Sequence, residues 1–241
     1  MLNLSEKYKQ KQRLNKKLFI PKNEKLAVKK RLKDSILKAE LIGQIQGEDI
    51  PSVINETYNT SVTMFLNIEI DNIKNAIFLN GILQEMLKAF VIIQYNDVKG
   101  NIALGFGYKR LSKVEQNEIV LENNFITNVF TEYMFDETYE LLGEYIYFDK
   151  IKNKVNKLAL YSEMMVKAYI ISNKNLWSKW NFILDSNVWY NQLNTMKIYD
   201  LLNEVKEIKN KQSKVNNTAD NIKFNKQLMK LYGDMEELIN E

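Results

Sequence analysis

The sequence predicts an α+β fold: a small mixed sheet of about four strands with helices packed on it, followed by a C-terminal helical hairpin. Three observations carry this expectation. Val62, Met64, Leu66, Ile68 and Ile70 alternate with Thr63, Phe65, Asn67, Glu69 and Asp71, the period of a strand. Two apolar runs, Val91–Tyr95 and Ile102–Tyr108, flank the turn residues Asn96, Asp97 and Gly100, as in a β-hairpin. In the tail, Ile198, Leu201, Val205 and Ile208 follow a and d spacing, pause at Asn216–Thr218, and resume at Leu228, Leu231, Met235 and Leu238.

Taken in order, residues 1–21 read as a basic and mobile arm, with few apolar anchors. Pro21 and Pro51, the only prolines, bracket a helix capped by Asn23, with a stripe of Val28, Leu32, Ile36, Ala39 and Ile42. After the strand at 62–70, Asp71 or Asn72 caps a helix carrying Leu79, Ile82, Leu83, Met86 and Phe90. The strand after the turn alternates Ile102, Leu104, Phe106 and Tyr108 with Ala103, Gly105, Gly107 and Lys109; its small face lets a helix or another backbone approach closely. A further strand is expected near Glu118–Phe125, an acidic helical stretch over 131–149 and an amphipathic helix over 150–172. The α/β core thus spans 22–172, a connector with Trp177, Trp180 and Trp189 occupies 173–189, and the hairpin spans 190–241.

Charge divides the chain. The first 38 residues hold thirteen of the 34 Lys and Arg but three of the 30 Asp and Glu, a net +10 that leaves −6 on the rest. Such asymmetry points to a polyanion or an acidic partner at one end. The chain has no cysteine and no histidine, which removes disulfides, thiolate chemistry, imidazole bases and the usual zinc sites. No apolar run reaches the ~20 residues of a membrane span, and the N-terminus lacks the apolar core of a signal peptide. The expectation is a soluble, cytoplasmic protein.

The candidate nucleic-acid-binding residues are Lys9, Lys11, Arg13, Lys16, Lys17, Lys29, Lys30, Arg31 and Lys33, whose charges would neutralise phosphates. The bland alternative is a solvated helix face. Glu132, Asp136, Glu140 and Glu144 would form a carboxylate row on a continuous helix, a magnesium site or, better, a dock for the chain's own basic arm or for a basic partner, against the plainer reading of a solvated face. Glu69 and Asp71 on one strand, with Lys109 on a later one, are the residues a metal-dependent nuclease would use, although a helix intervenes and Asp71 reads more simply as a cap. None of the eight glycines makes a phosphate-binding loop, so no cofactor is expected. Val205, Ile208, Leu228, Leu231 and Leu238 form the seam of the hairpin, which is expected to protrude and mediate self-association or partner binding.

These segments resemble a bacterial family catalogued as domain of unknown function 4391. The likeness rests on FIPKN (Phe19–Asn23), on IEI (Ile68–Ile70), FVIIQY (Phe90–Tyr95) and IALGFGYKR (Ile102–Arg110), and on the tail KFNKQLMKLYGDMEELI (Lys223–Ile239), in that order. Residues 173–197, with their three tryptophans, depart from the family pattern. Members commonly neighbour a helicase and a DNA methyltransferase in defence loci. The resemblance therefore implies a non-enzymatic accessory protein near DNA with a helicase or methyltransferase partner; the divalent-metal nuclease is the alternative.

Overall fold

A computed structural model describes residues 2–115, 118–133, 135–215 and 217–240. Among the described residues six strands form one sheet in sequential order: β1 (Lys9–Arg13), β2 (Ile36–Ile45), β3 (Thr63–Ile70), β4 (Phe90–Asp97), β5 (Ile102–Leu111) and β6 (Ile119–Ile126). All neighbours are antiparallel except β3 and β4, which are parallel and joined through α2 (Ala76–Met86). The mixed sheet is as expected; its six strands exceed the four or so that the sequence suggested.

The two extra strands are β1 and β2. The stripe Val28–Ile42 is not one helix: α1 (Leu26–Ser35) stops, and Ile36 begins β2. Leu37–Leu41 are good helix formers, but pairing of Ile36–Ile45 with Ile70–Thr63 buries Ile36, Ala39, Leu41 and Ile45, and this long-range burial overrides local propensity. β1 has the sequence KQKQR and no apolar residue, so no periodicity announces it; register with Gly43, Leu41 and Glu40 holds it at the sheet edge. The arm is therefore folded rather than mobile. Leu2, Leu4, Tyr8 and Phe19 are buried, and Phe148 N–H donates to the Leu2 carbonyl at 2.8 Å.

Helices cover both faces of the sheet. On one side α1 and α2 pack on Ile36, Ala39, Leu41, Leu66, Ile68, Ile70, Val91, Ile93 and Tyr95. On the other, Phe65, Phe90, Ile92, Leu104, Phe106 and Tyr108 meet α3 (Glu137–Tyr145), α4 (Lys157–Ser172), α5 (Trp180–Asp185), α6 (Gln192–Gln212) and α7 (Thr218–Asn240). The 150–172 segment is not amphipathic in place. Its helix starts at Lys157 and is buried at every position to Ile171, wedged between the sheet and the later helices.

The glycine face of β5 does admit a helix. Side chains of α2 reach over Gly105 and Gly107: Asn80 Nδ2 donates to the carbonyls of Phe106 (3.3 Å) and Phe125 (3.2 Å), and Gln84 Nε2 donates to Val91 O (3.0 Å). Strands β4 and β5 pair only from Ile93 and Gly105 to Asn96 and Ile102. Beyond that they splay, and side chains bridge the gap. The Tyr161 hydroxyl accepts from Gly107 N–H at 2.9 Å and lies 3.2 Å from Val91 O, while Lys109 Nζ donates to Leu87 O (2.6 Å) and Ala89 O (2.7 Å).

The hairpin is present as α6 and α7, but its seam closes on the body. Val205, Leu228, Leu231 and Leu238 are buried in the same cluster as α4, and Ile208 packs against it. Tyr232 stacks on Trp177 and donates its hydroxyl to Leu176 O at 3.0 Å, so the tryptophan connector is the platform on which α7 rests. Trp189 is fully buried, with Lys167 over its ring and the ion pair Lys167–Glu163 beside it at 2.5 Å.

Candidate nucleic-acid interface

The helices leave one part of the sheet bare. On the face that α3 to α7 cover elsewhere, strand register aligns Arg13, Glu40, Asn67 and Gln94 in one row and Lys38, Glu69 and Asn96 in the next. Side chains on this face are apolar at Phe65, Phe90 and Ile92, then turn polar at Asn67, Gln94 and Asn96, at the same height on both parallel strands. This is the C-terminal end of the parallel pair, where open sheets offer ligand crevices.

Four cations, Lys9, Lys11, Arg13 and Lys38, meet three carboxylates here, Glu6, Glu40 and Glu69. Lys38 Nζ lies 2.8 Å from Glu40 and 3.3 Å from Glu69. These contacts raise the Lys38 pKa, and Lys38, helped by Lys11 and Arg13, lowers that of Glu40. Glu40 and Glu69 are thus neutralised locally, and the remaining charge is positive. All five residues of β1 are exposed. A lysine-bearing edge strand of this kind resists pairing with another sheet; Lys9 Nζ is paired with Glu6 at 2.5 Å, and Lys11 and Arg13 are left to solvent or to an anion.

Three amides occupy the middle. Gln94 Nε2 donates to Asn96 Oδ1 at 3.0 Å, and Asn96 Nδ2 donates to Asn67 Oδ1. Gln94 Oε1 is buried without a hydrogen-bond partner among the described residues. A cleft of about 450 Å³ lies on one side, lined by Asn3, Leu4, Lys9, Ile42, Asn67, Gln94 and Tyr147. A second, of about 470 Å³, lies on the other and includes Gln94, Asn96, Glu132 and Tyr133. Burial pushes the Tyr147 phenol up to about 12, so it stays a neutral donor.

The nine basic candidates divide between two surfaces. Lys9, Lys11 and Arg13 border the amide face. Lys16 and Lys17 lie on the short turn Lys16–Phe19 beyond it. Lys29, Lys30, Arg31 and Lys33 belong to α1, which packs on the opposite face. Two of these have structural partners: Lys29 Nζ donates to Lys22 O at 2.5 Å, and Arg31 stacks on Phe78 and donates to Asn75 Oδ1 at 2.9 Å. The hairpin tip adds a second cationic region, with seven lysines against Glu207 and Asp220 between residues 206 and 230. No described residue from 206 to 227 is buried.

The fold does not bring the nuclease residues together. Glu69 pairs in register with Asn96, whereas Lys109 reaches the backbone just before β4 begins, seven residues away or roughly 20 Å. Asp71 accepts from Asn75 Nδ2 at 2.9 Å, and Asn72 supplies the cap through Lys74 N–H at 3.0 Å. Lys109 ties down the C-terminal end of α2, and burial lowers its pKa to about 7. The carboxylate row breaks as well. Asp136 is the cap of α3, accepting from Tyr139 N–H at 3.1 Å and Thr131 N–H at 2.9 Å, and Glu132 precedes the helix. Among the described residues no three Asp and Glu gather as a metal site, and no helix is long and apolar enough to cross a membrane.

Sequence reading missed Asn67, Gln94, Asn96, Tyr133 and Tyr147. A signal for the amides was present: FVIIQYND and TMFLNIEI change from apolar to polar at matched alternate positions. Only the parallel register shows that those positions are neighbours. No curated protein and no solved structure matches the chain. One family does, over residues 2–235, so the chain belongs to the family described as domain of unknown function 4391.

Proposed function

We propose that this protein is a non-catalytic nucleic-acid-binding module. The observation that supports this reading best is β1, a strand of three cations and two glutamines held at the sheet edge with every residue exposed. A rigid element positions charge better than a loose tail does, because less side-chain and backbone order is lost on binding. Phosphates along a strand would lie against Lys9, Lys11 and Arg13, and the amide face would lie beneath the adjoining bases. A helicase or methyltransferase partner, which the family resemblance suggests, would meet the exposed outer face of the hairpin, since Val205, Leu228, Leu231 and Leu238 are spent on the body.

The test is fluorescence anisotropy with labelled single- and double-stranded DNA and with RNA. Affinity falls steeply from low to physiological salt, because each neutralised phosphate releases counterions. Charge reversal at Lys9, Lys11 and Arg13 removes most of the affinity and leaves the melting temperature nearly unchanged. Salt-independent binding, or an unaffected triple variant, would refute the proposal.

A further inference from the structure

We infer that Asn67 and Gln94 form a subsite for an unpaired nucleobase, an inference that rests on the nucleic-acid reading above. The two side chains are register partners on parallel strands, which places them side by side on the bare face. Their hydrogen-bonding capacity is spent in one direction only. Gln94 Nε2 goes to Asn96, and Asn96 Nδ2 goes to Asn67 Oδ1. Asn67 Nδ2 donates to neither of the other two amides and Gln94 Oε1 accepts from neither, so Asn67 brings a donor and its register partner Gln94 an acceptor.

A donor beside an acceptor is the complement of a base edge, the pattern by which Asn and Gln side chains read bases. Gln94 Oε1 is buried without a partner among the described residues, which is uncommon and costs free energy, so the Gln94 amide gains a hydrogen bond if it turns toward a base in one of the clefts it lines. Gln94 lines both clefts, and each has a tyrosine in its wall, Tyr147 in one and Tyr133 in the other. Aromatic walls suit stacked bases.

A flat sheet face also selects the strandedness. Base edges in a duplex lie at the bottom of grooves, which admit a helix or a two-stranded ribbon but not a six-stranded sheet. A base splayed from a single strand lies flat against it. The order across the face, cations on β1 and amides on β3 and β4, places phosphates at the border and bases inward.

The experiment compares the full chain with Gln94→Ala, Gln94→Glu and the Lys9/Lys11/Arg13→Glu triple variant, using 12-nucleotide oligo-dA, oligo-dC and oligo-dT and a duplex. Melting curves confirm that each variant is folded. The native chain prefers single strands and discriminates among the three bases by about tenfold, the scale of one amide–base pair. Gln94→Ala lowers that discrimination to about twofold with the salt slope unchanged. Gln94→Glu, which only accepts, shifts preference toward the amino-bearing bases adenine and cytosine. The triple variant weakens all three oligonucleotides in proportion. Binding without base discrimination, or discrimination that survives Gln94→Ala, overturns the subsite and leaves the module standing. Absence of any binding overturns both.

Discussion

Gly105→Ala tests the packing that builds the sheet. An ideal Cβ at Gly105 would stand 2.6 Å from Asn80 Cγ and 2.9 Å from Tyr95 Cε2, both closer than side-chain carbons tolerate. Asn80 is buried, and its amide holds Phe106 O, Phe125 O and Asn124 Oδ1 while accepting from the Tyr95 hydroxyl at 3.3 Å. It cannot yield without giving up some of these bonds. Overpacking a core by one methyl costs about 1–3 kcal/mol. Leaving one or two buried groups unpaired adds about 1–3 kcal/mol. The sum, about 2–6 kcal/mol, is a large share of the ~5–15 kcal/mol that holds a typical domain together. Urea unfolding followed by circular dichroism measures the loss directly. The cause is isolated by a double-mutant cycle: Asn80→Ala removes the obstructing amide, so Gly105→Ala should cost at least about 1.5 kcal/mol less in that background. A loss below about 1 kcal/mol, or strict additivity, would refute the claim that β5 is bare on this face because Asn80 occupies the space.

Three further outcomes follow from the same geometry. The folded-state pKa of Lys109 is lowered to about 7 by burial, so between pH 7 and its ordinary range near 10.5 the unfolded chain carries a proton that the folded chain lacks. Stability therefore rises with pH across that window, and the stability of the native chain relative to Lys109→Met should rise from pH 7 to 10; a constant difference in urea titrations would show that Lys109 stays charged. Ile68 is fully buried beneath α2, so Ile68→Asp should cost about 4 kcal/mol or more and yield insoluble protein, whereas a native-like melting temperature would contradict the assigned face. Deleting residues 190–241 uncovers the apolar side of α4, so the truncated chain should aggregate; a monodisperse, cooperatively melting remainder would mean that α6 and α7 are a separate unit.

What the sequence revealed and what it concealed divide along physical lines. β3, β4 and β5 were legible because each alternates or runs apolar between turn residues, β6 was expected only as a strand near Glu118–Phe125, and the glycine face of β5 announced a close approach. β2 was concealed because Leu37-Lys38-Ala39-Glu40-Leu41 satisfies helix spacing and helix propensity at once; only its partner β3 decides between them. β1 was concealed because an edge strand with no apolar face carries no periodic signal. The seam at Val205, Leu228, Leu231 and Leu238 was legible as a seam, but spacing does not say whether its partner lies in the same chain. The site was half legible. Charge counting found Lys9, Lys11 and Arg13, while the amide row exists only once β3 and β4 lie in parallel register.

The central claim is that the exposed edge strand and the bare amide face beside it are where nucleic acid binds. Hydrogen–deuterium exchange of the full chain, with and without a saturating single-stranded oligonucleotide, tests it most directly. Protection should appear over Lys9–Arg13, over Ile36–Leu41, and at the ends of β3 and β4 around Asn67 and Gln94, with α1 and the hairpin tip unchanged. Protection confined to α1 or to the lysines of the hairpin tip, with β1 exchanging as in the unbound chain, would contradict it.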